Sequence, residues 1–121
     1  MSEIKASFDV STLEGKMKVF NAQNGASVSL KTLQKDVVIE AEGVLQYGEK
    51  LDTYGQEQEA TVTVIFAKDG TSYAGVSETV AQAGAKLIEF IKSTGLKTFK
   101  IKIVKANSSK GNEFLNLQLV K

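Results

Sequence analysis

Leu96 to Val120 reads LKTFKIKIVKANSSKGNEFLNLQLV, and its two alternating runs decide the fold. In the first run Phe99, Ile101 and Ile103 share one face, and Thr98, Lys100 and Lys102 share the other. In the second, Leu115, Leu117 and Leu119 alternate with Phe114, Asn116 and Gln118. A period of two marks strands half-buried on a core. Asn107-Ser108-Ser109-Lys110-Gly111-Asn112 between them is turn chemistry, so the pair predicts a β-hairpin. Its outer face carries lysines on one strand, and an aromatic with two amides on the other. Such a face suits an anionic backbone with flat rings attached, which is the chemistry of a single nucleic-acid strand.

Upstream of the hairpin the pattern changes once. Ser77 is a good N-cap, Glu78 favours the helix dipole, and Val80, Gly84, Leu87, Ile88 and Ile91 recur at helical spacing. Gly95 sits where a C′ glycine ends a helix. The spacing predicts one amphipathic helix over about 78–94, serving as the plug of a barrel. Its polar face is mixed in sign, unlike that of a membrane-surface helix.

The rest of the chain predicts strands. Val62, Val64 and Phe66 alternate with Thr61, Thr63 and Ile65, and Asp69-Gly70 turns the chain back through Tyr73 to Val76. At the N-terminus Ile4, Ala6, Phe8 and Val10 form one alternating run. Lys16 to Phe20 forms another, with Met17 and Val19 on one face and Lys16, Lys18 and Phe20 on the other. Asn24-Gly25 is a strong hairpin signal, and Val28 and Leu30 continue beyond it, so these residues predict a three-stranded meander. Val37 to Leu45 predicts a further strand with Gly43 at a bulge. Glu40 and Glu42 there read as a solvated strand face. Gln46 to Glu59 lacks alternation and predicts a functional loop, from which Tyr47 and Tyr54 would either swing over a bound strand and stack on bases or lie across the barrel end with only the hydroxyl in water. Strands, one helix, then two closing strands match the plan of an OB-fold-like antiparallel β-barrel occupying residues 1–121 as one domain. An SH3-like barrel and a helix-backed sheet are the alternatives.

Composition removes most chemistry. The 121 residues contain no cysteine, histidine, tryptophan or proline, and all fifteen basic residues are lysines. A zinc site of histidine and cysteine ligands is therefore excluded, as is any triad that uses either residue. The expectation is a binding protein that is no enzyme and carries no cofactor or metal. Without arginine, bidentate reading of guanine or phosphate is lost, so recognition rests on lysine point charges and stacking. The net charge of +1 conceals a division: residues 1–60 hold ten acids against six lysines, residues 61–121 four acids against nine. That basic half can steer an anionic partner. No apolar stretch reaches membrane-span length and no signal peptide is evident, so a cytoplasmic protein is expected.

The segment VSETVAQAGAKLIEFIKSTGLKTFKIKIVKANSSKGNEFLNLQLVK, in so short a chain, resembles the single-stranded DNA-binding proteins of lactococcal and related Gram-positive phages. The resemblance implies an OB-fold that coats single-stranded DNA in phage replication and recombination, in the host cytoplasm. It also implies a homodimer or higher homo-oligomer, working beside a recombinase or annealing protein. The sequence departs from the bacterial housekeeping type in having no tryptophan and no acidic tail. It ends at Lys121 just after the last strand, so tail-mediated recruitment of host replication proteins is not expected.

From the residues themselves, Lys16, Lys18, Lys100, Lys102, Lys105 and Lys110 are the candidates for the phosphate backbone. Phe20, Phe114, Tyr47 and Tyr54 are the candidates for the bases. Either phenylalanine equally fits a second small core, against the helix, a loop or another subunit. The alternative function is a small phage structural or assembly protein that uses the same barrel faces for protein contacts.

Overall fold

The computed structural model describes residues 4–25, 27–53, 55–107 and 113–120, with the backbone alone at 49–53, 56–59, 106–107 and 113–114. The elements are β1 (Lys5–Ala6), α1 (Leu13–Gln23), β2 (Val28–Ser29), a single 3-10 turn (Leu30–Thr32), β3 (Val38–Thr53), β4 (Gln56–Ala67), β5 (Ser72–Gly75), α2 (Glu78–Thr94), β6 (Phe99–Asn107) and β7 (Glu113–Val120).

Everything turns on β3, whose sixteen residues are long enough to serve two neighbours in succession. Its first part, Val38 to Ala41, pairs with β6, and from Ala41 to Thr53 it pairs with β4. Between the two the register shifts at Ala41/Gly43, the bulge that Gly43 signalled. A Cβ on Gly43 would stand 2.9 Å from the Phe8 ring, so the bulge glycine also admits that side chain. The resulting sheet has the order β2-β5-β4-β3-β6-β7, with β1 beside β3. It curls into a half-barrel. All pairings are antiparallel except β2 with β5. From β3 onward the connectivity is that of an OB-fold: five strands, the first paired with the second and fourth, and a helix between the third and fourth.

The concave side holds the main core. Leu30, Ile39, Val44, Ile65, Ile101, Ile103, Leu115 and Leu117 pack there against Val80, Leu87, Ile88 and Ile91 of α2. The predicted helix is present, capped by Ser77, whose hydroxyl accepts from the Val80 N–H, and stopped by Gly95 at φ +73°. Gly84 brings α2 against the sheet. Its missing Cβ would meet Gln46 Nε2 and Thr63 Cγ2, both at 2.7 Å. Both polar residues are buried and satisfied: Gln46 Nε2 donates to Thr63 Oγ1 at 3.1 Å and to the Ala81 carbonyl at 2.7 Å.

Two expectations fail. The predicted meander of the first thirty residues is replaced by a second helix, α1, where a barrel with a single helix was expected. Lys16-Met17-Lys18-Val19-Phe20 alternates as a strand would, but the ends of the segment decide otherwise. The Thr12 hydroxyl accepts from the Gly15 N–H at 3.0 Å as an N-cap. At the other end the Asn24 N–H closes on the Phe20 and Ala22 carbonyls, and Gly25 takes φ +80°. Asn24-Gly25 is thus a helix stop and not a hairpin. Second, the predicted loop from Gln46 to Glu59 is a paired ribbon: β3 and β4 stay in register out to Thr53 opposite Gln56. Glu40 and Glu42 are both exposed, as expected of a solvated face, and Glu42 Oε1 lies 3.3 Å from Lys18 Nζ.

A second core lies on the convex side. Ala22 and Val19 of α1, with Ala6 and Phe8, cover Leu45, Tyr47, Val62, Val64 and Phe66. The N-terminal residues thus form an addition that covers the outer face of β3 and β4.

Candidate nucleic-acid interface

On the outer face of β6 and β7 the register sets Lys100 opposite Val120, Lys102 opposite Gln118, Val104 opposite Asn116 and Ala106 opposite Phe114. Lys100 and Gln118 are exposed, and Lys102, Val104, Asn116 and Val120 are half-buried, while the alternate residues Ile101, Ile103, Leu115 and Leu117 fill the core. β3 extends the same face with Val38 opposite Lys102 and Glu40 opposite Lys100. The hairpin therefore presents cations and amides outward because its leucines and isoleucines face in. This much was legible from alternation.

Lysine geometry differs from site to site. Lys102 Nζ lies 3.4 Å from Asp36 Oδ1, an ion pair between half-exposed groups. Asp36 takes φ +68°, and its N–H donates to the Ile103 carbonyl at 2.9 Å, which fixes the carboxylate beside β6. Lys105 Nζ donates to the Lys31 carbonyl at 3.3 Å and so ties the 3-10 turn to β6. This brings the exposed Lys31 and Lys35 to the margin of the β6 lysines. Both were missed in the sequence, since only a contact across 74 positions puts them there.

Lys16, Lys18 and Phe20 do not share a face. On a helix two residues apart are turned by about 200°, so Lys18 points at the sheet while Phe20 is 67% exposed. Lys18 Nζ sits 3.3 Å from Glu42 Oε1 and 3.9 Å from Glu14 Oε1. It also lies 5.3 Å from the Phe8 ring centroid and 5.8 Å from that of Phe66, with the two rings edge to face at 5.5 Å. That ammonium holds α1 to the sheet. Tyr47 is buried at the root of the ribbon, its hydroxyl donating to the Ala22 carbonyl at 3.3 Å. Tyr54 and Lys110 lie outside the described residues, and for Phe114 only the backbone is described.

Sequence alternation also missed a groove beside α2. One half, about 570 Å³, is lined by Phe90, Leu96, Phe99, Leu119, Lys68 and Lys100 among others. The other, about 470 Å³, runs along α2 past Ala83, Lys86 and Leu87 to Asn116 and Leu117 of β7, and Phe90 and Leu119 line both. Among the described residues no cluster of acids could hold a metal ion, and no helix is long and apolar enough to cross a membrane.

Residues 1–120 match the family of phage single-stranded DNA-binding proteins. The chain belongs to that family. It is 51% identical to the single-stranded DNA-binding protein of Bacillus phage B103 over 119 residues, 98% of each chain. It is 50% identical to the proteins of the same name from Bacillus phages phi29 and PZA over 116 residues, 96% of this chain and 94% of theirs. The family relation thus extends through α1 and β1 as well as the C-terminal third that first carried the resemblance. No solved structure gave a significant match.

Proposed function

We propose that this protein coats single-stranded DNA without sequence preference during phage genome replication, along a track on the outer face of β6 and β7. The observation that carries this is the outer face of β6 and β7, where Lys100 and Lys102 stand opposite Val120 and Gln118 with Asn116 next along β7, in a member of a single-stranded DNA-binding family. Lys31, Lys35 and Lys105 border the track, and Lys110 and Phe114 remain candidates for phosphate and base. Lysine ammonium groups neutralise phosphates wherever they fall and do not read bases. Aromatic stacking adds roughly 1–3 kcal/mol per base with little sequence preference.

The outer face of β4 and β5, where an OB-fold commonly receives its ligand, is partly taken here. Val62, Val64, Phe66 and Ala74 lie in the second core with residues of α1 and β1. Tyr47 sits at the root of the β3–β4 ribbon, and Tyr54 remains a candidate for stacking on bases. Lys16 and Phe20 ride on α1 and are not part of the track. The role is that of a binder with no catalysis, acting in the host cytoplasm on exposed replication intermediates. Work beside a recombinase or annealing protein follows from occupying the same strand.

The test is fluorescence anisotropy of a labelled thymine oligonucleotide, against a duplex of equal length, across salt concentrations. Tight single-strand binding with a log Kd that rises linearly with log salt, by about 0.7 per neutralised phosphate, supports the reading. No signal at low salt refutes it.

A further inference from the structure

We propose that α1 of one molecule docks in the α2–β7 groove of the next, so that copies on one DNA strand join head to tail. The inference rests on the coating function above and goes beyond it.

α1 carries two apolar faces. One is buried on the sheet through Val19 and Ala22. The other, Leu13, Met17 and Phe20, is 76%, 56% and 67% exposed. The spacing i, i+4, i+7 sets the three in one row, the pattern by which a helix enters an apolar groove. They span about 10 Å at 1.5 Å per residue, within the reach of a groove that runs beside the seventeen-residue α2. The groove is apolar where it needs to be: Phe90 and Leu96 are 45% and 43% exposed.

The charges give the contact a direction. Glu14, beside Leu13, is exposed, and Lys86 lines the α2 half of the groove. α1 has no basic residue in its last turn, so its C-terminal end keeps the negative pole of the helix dipole. The opposite half, where that end would lie, is lined by Lys68 and by Lys100 at the edge of the DNA track, against one acid, Glu40. Exposed stripe and groove belong to different elements of one chain, so the contact is heterologous. Such a contact propagates along a strand wherever its rotation does not close a ring.

Size explains why this contact needs DNA. Three side chains of this exposure offer on the order of 400 Å² of apolar surface, about half of what each partner buries in a stable complex. Free molecules at micromolar concentration stay apart. Neighbours on one strand face each other at an effective concentration near millimolar, where a weak contact forms.

Because the chain has no cysteine, the contact is testable by cross-linking. Protein carrying Met17→Cys is mixed with protein carrying Leu96→Cys and treated with a short bismaleimide on long thymine DNA. The expected product is the mixed dimer, formed far faster with DNA than without. Cross-linking of Met17→Cys protein to itself in preference to the mixed pair would mean that α1 packs on α1, and would overturn the proposal. The second measurement uses Leu13→Ser/Met17→Ser and Phe90→Ser, all at exposed positions. On an oligonucleotide long enough for one molecule, each variant should bind within about twofold of wild type. On long DNA each should lose tenfold or more, and the combined variant should lose no more than either alone. Equal losses on short and long DNA would assign the surface to DNA instead. Wild-type affinity on long DNA, or additive losses in the combined variant, would also refute docking. Failure of wild type to bind even the short oligonucleotide would instead refute the coating function, and cross-linking at high protein concentration would still decide the contact.

Discussion

Asp36 offers a substitution that should strengthen DNA binding. In the free protein its carboxylate holds Lys102 at 3.4 Å, with the two side chains 58% and 36% exposed. A pair this exposed contributes about 0.2–1 kcal/mol, which a phosphate must overcome before it takes the lysine. Asp36 also repels the phosphate itself: like charges at about 4 Å in water cost roughly 1 kcal/mol, and less at greater distance and with screening. Asp36→Asn removes both penalties. Asparagine tolerates positive φ about as well as aspartate, so the backbone at φ +68° is kept. Stability should then fall by less than about 1 kcal/mol. The gain in affinity should be about three- to tenfold at about 50 mM salt, since 1.4 kcal/mol is tenfold. Lys102 would also join the phosphates without first leaving a carboxylate, so the log–log salt slope should steepen by up to about 0.7. The assay is the anisotropy titration on a short oligonucleotide at four or five salt concentrations, with thermal melting as the control for folding. An unchanged Kd and slope in a normally folded variant would refute the assignment of Lys102 to the DNA track.

Other outcomes follow from single contacts. Gly84→Ala gains up to about 1 kcal/mol in helix propensity but drives a methyl into Gln46 and Thr63, both buried; overpacking of about 1–3 kcal/mol wins, and a lowered urea midpoint checks it. Lys18→Met keeps the packing over Phe8 and Phe66 but deletes the ammonium that faces both rings and Glu42; a loss of about 1 kcal/mol is expected by denaturation, and no loss would mean that apolar packing alone holds α1. The Asp9 carboxyl is held below its ordinary range by the Ser11 hydroxyl, then by the Ser11 N–H, and Asp69 by hydrogen bonds from Thr71, the backbone N–H first. A depressed folded pKa stabilises fully above the unfolded value of about 3.8 and is lost as pH falls through the folded value. The stability difference between wild type and Asp9→Ala/Asp69→Ala should therefore be constant from about pH 5 to 7 and narrow below about pH 4. A difference that widens in acid would contradict this.

What the sequence showed plainly was whatever has one wet face and one dry face. β6 and β7 alternate because one side of each meets the core, and α2 repeats at helical spacing for the same reason. α1 defeated this logic because it has apolar residues on both its faces. Met17 and Val19 look like the buried side of a strand, yet Met17 points to water and Val19 to the sheet. Only the ends carried the information, Thr12 as cap and Asn24-Gly25 as stop. The ribbon from Tyr47 to Val62 was illegible for the opposite reason. Beyond the β1 and β5 pairings its backbone pairs only with itself among the described residues, so nothing imposes one dry side. Within the site, Lys100 and Lys102 were legible from the hairpin. Lys31, Lys35, Phe90 and Leu96 were not, because their places depend on tertiary contacts that no local spacing records.

The N-terminal addition is where fold and function meet. An OB-fold without it would show Val62, Val64 and Phe66 to solvent on the face that such folds commonly give to ligands. Here α1 is clamped onto that face from below, with Gly15 so close to the chain at Asp9 that a Cβ there would collide with its carbonyl oxygen. The Lys18 ammonium over two rings completes the clamp. On the two proposals above, labour is divided between two surfaces: α1 covers a face suited to bases and offers one suited to protein, while the lysines of β6 serve phosphate. That division suits a chain with no arginine. Lysine–phosphate contacts are individually weak and fade with salt. A coat built on them gains salt resistance from whatever salt does not screen, which is stacking on bases and apolar contact between neighbours. Apolar contact between copies is such a gain, and Leu13, Met17 and Phe20 stand where it would be made.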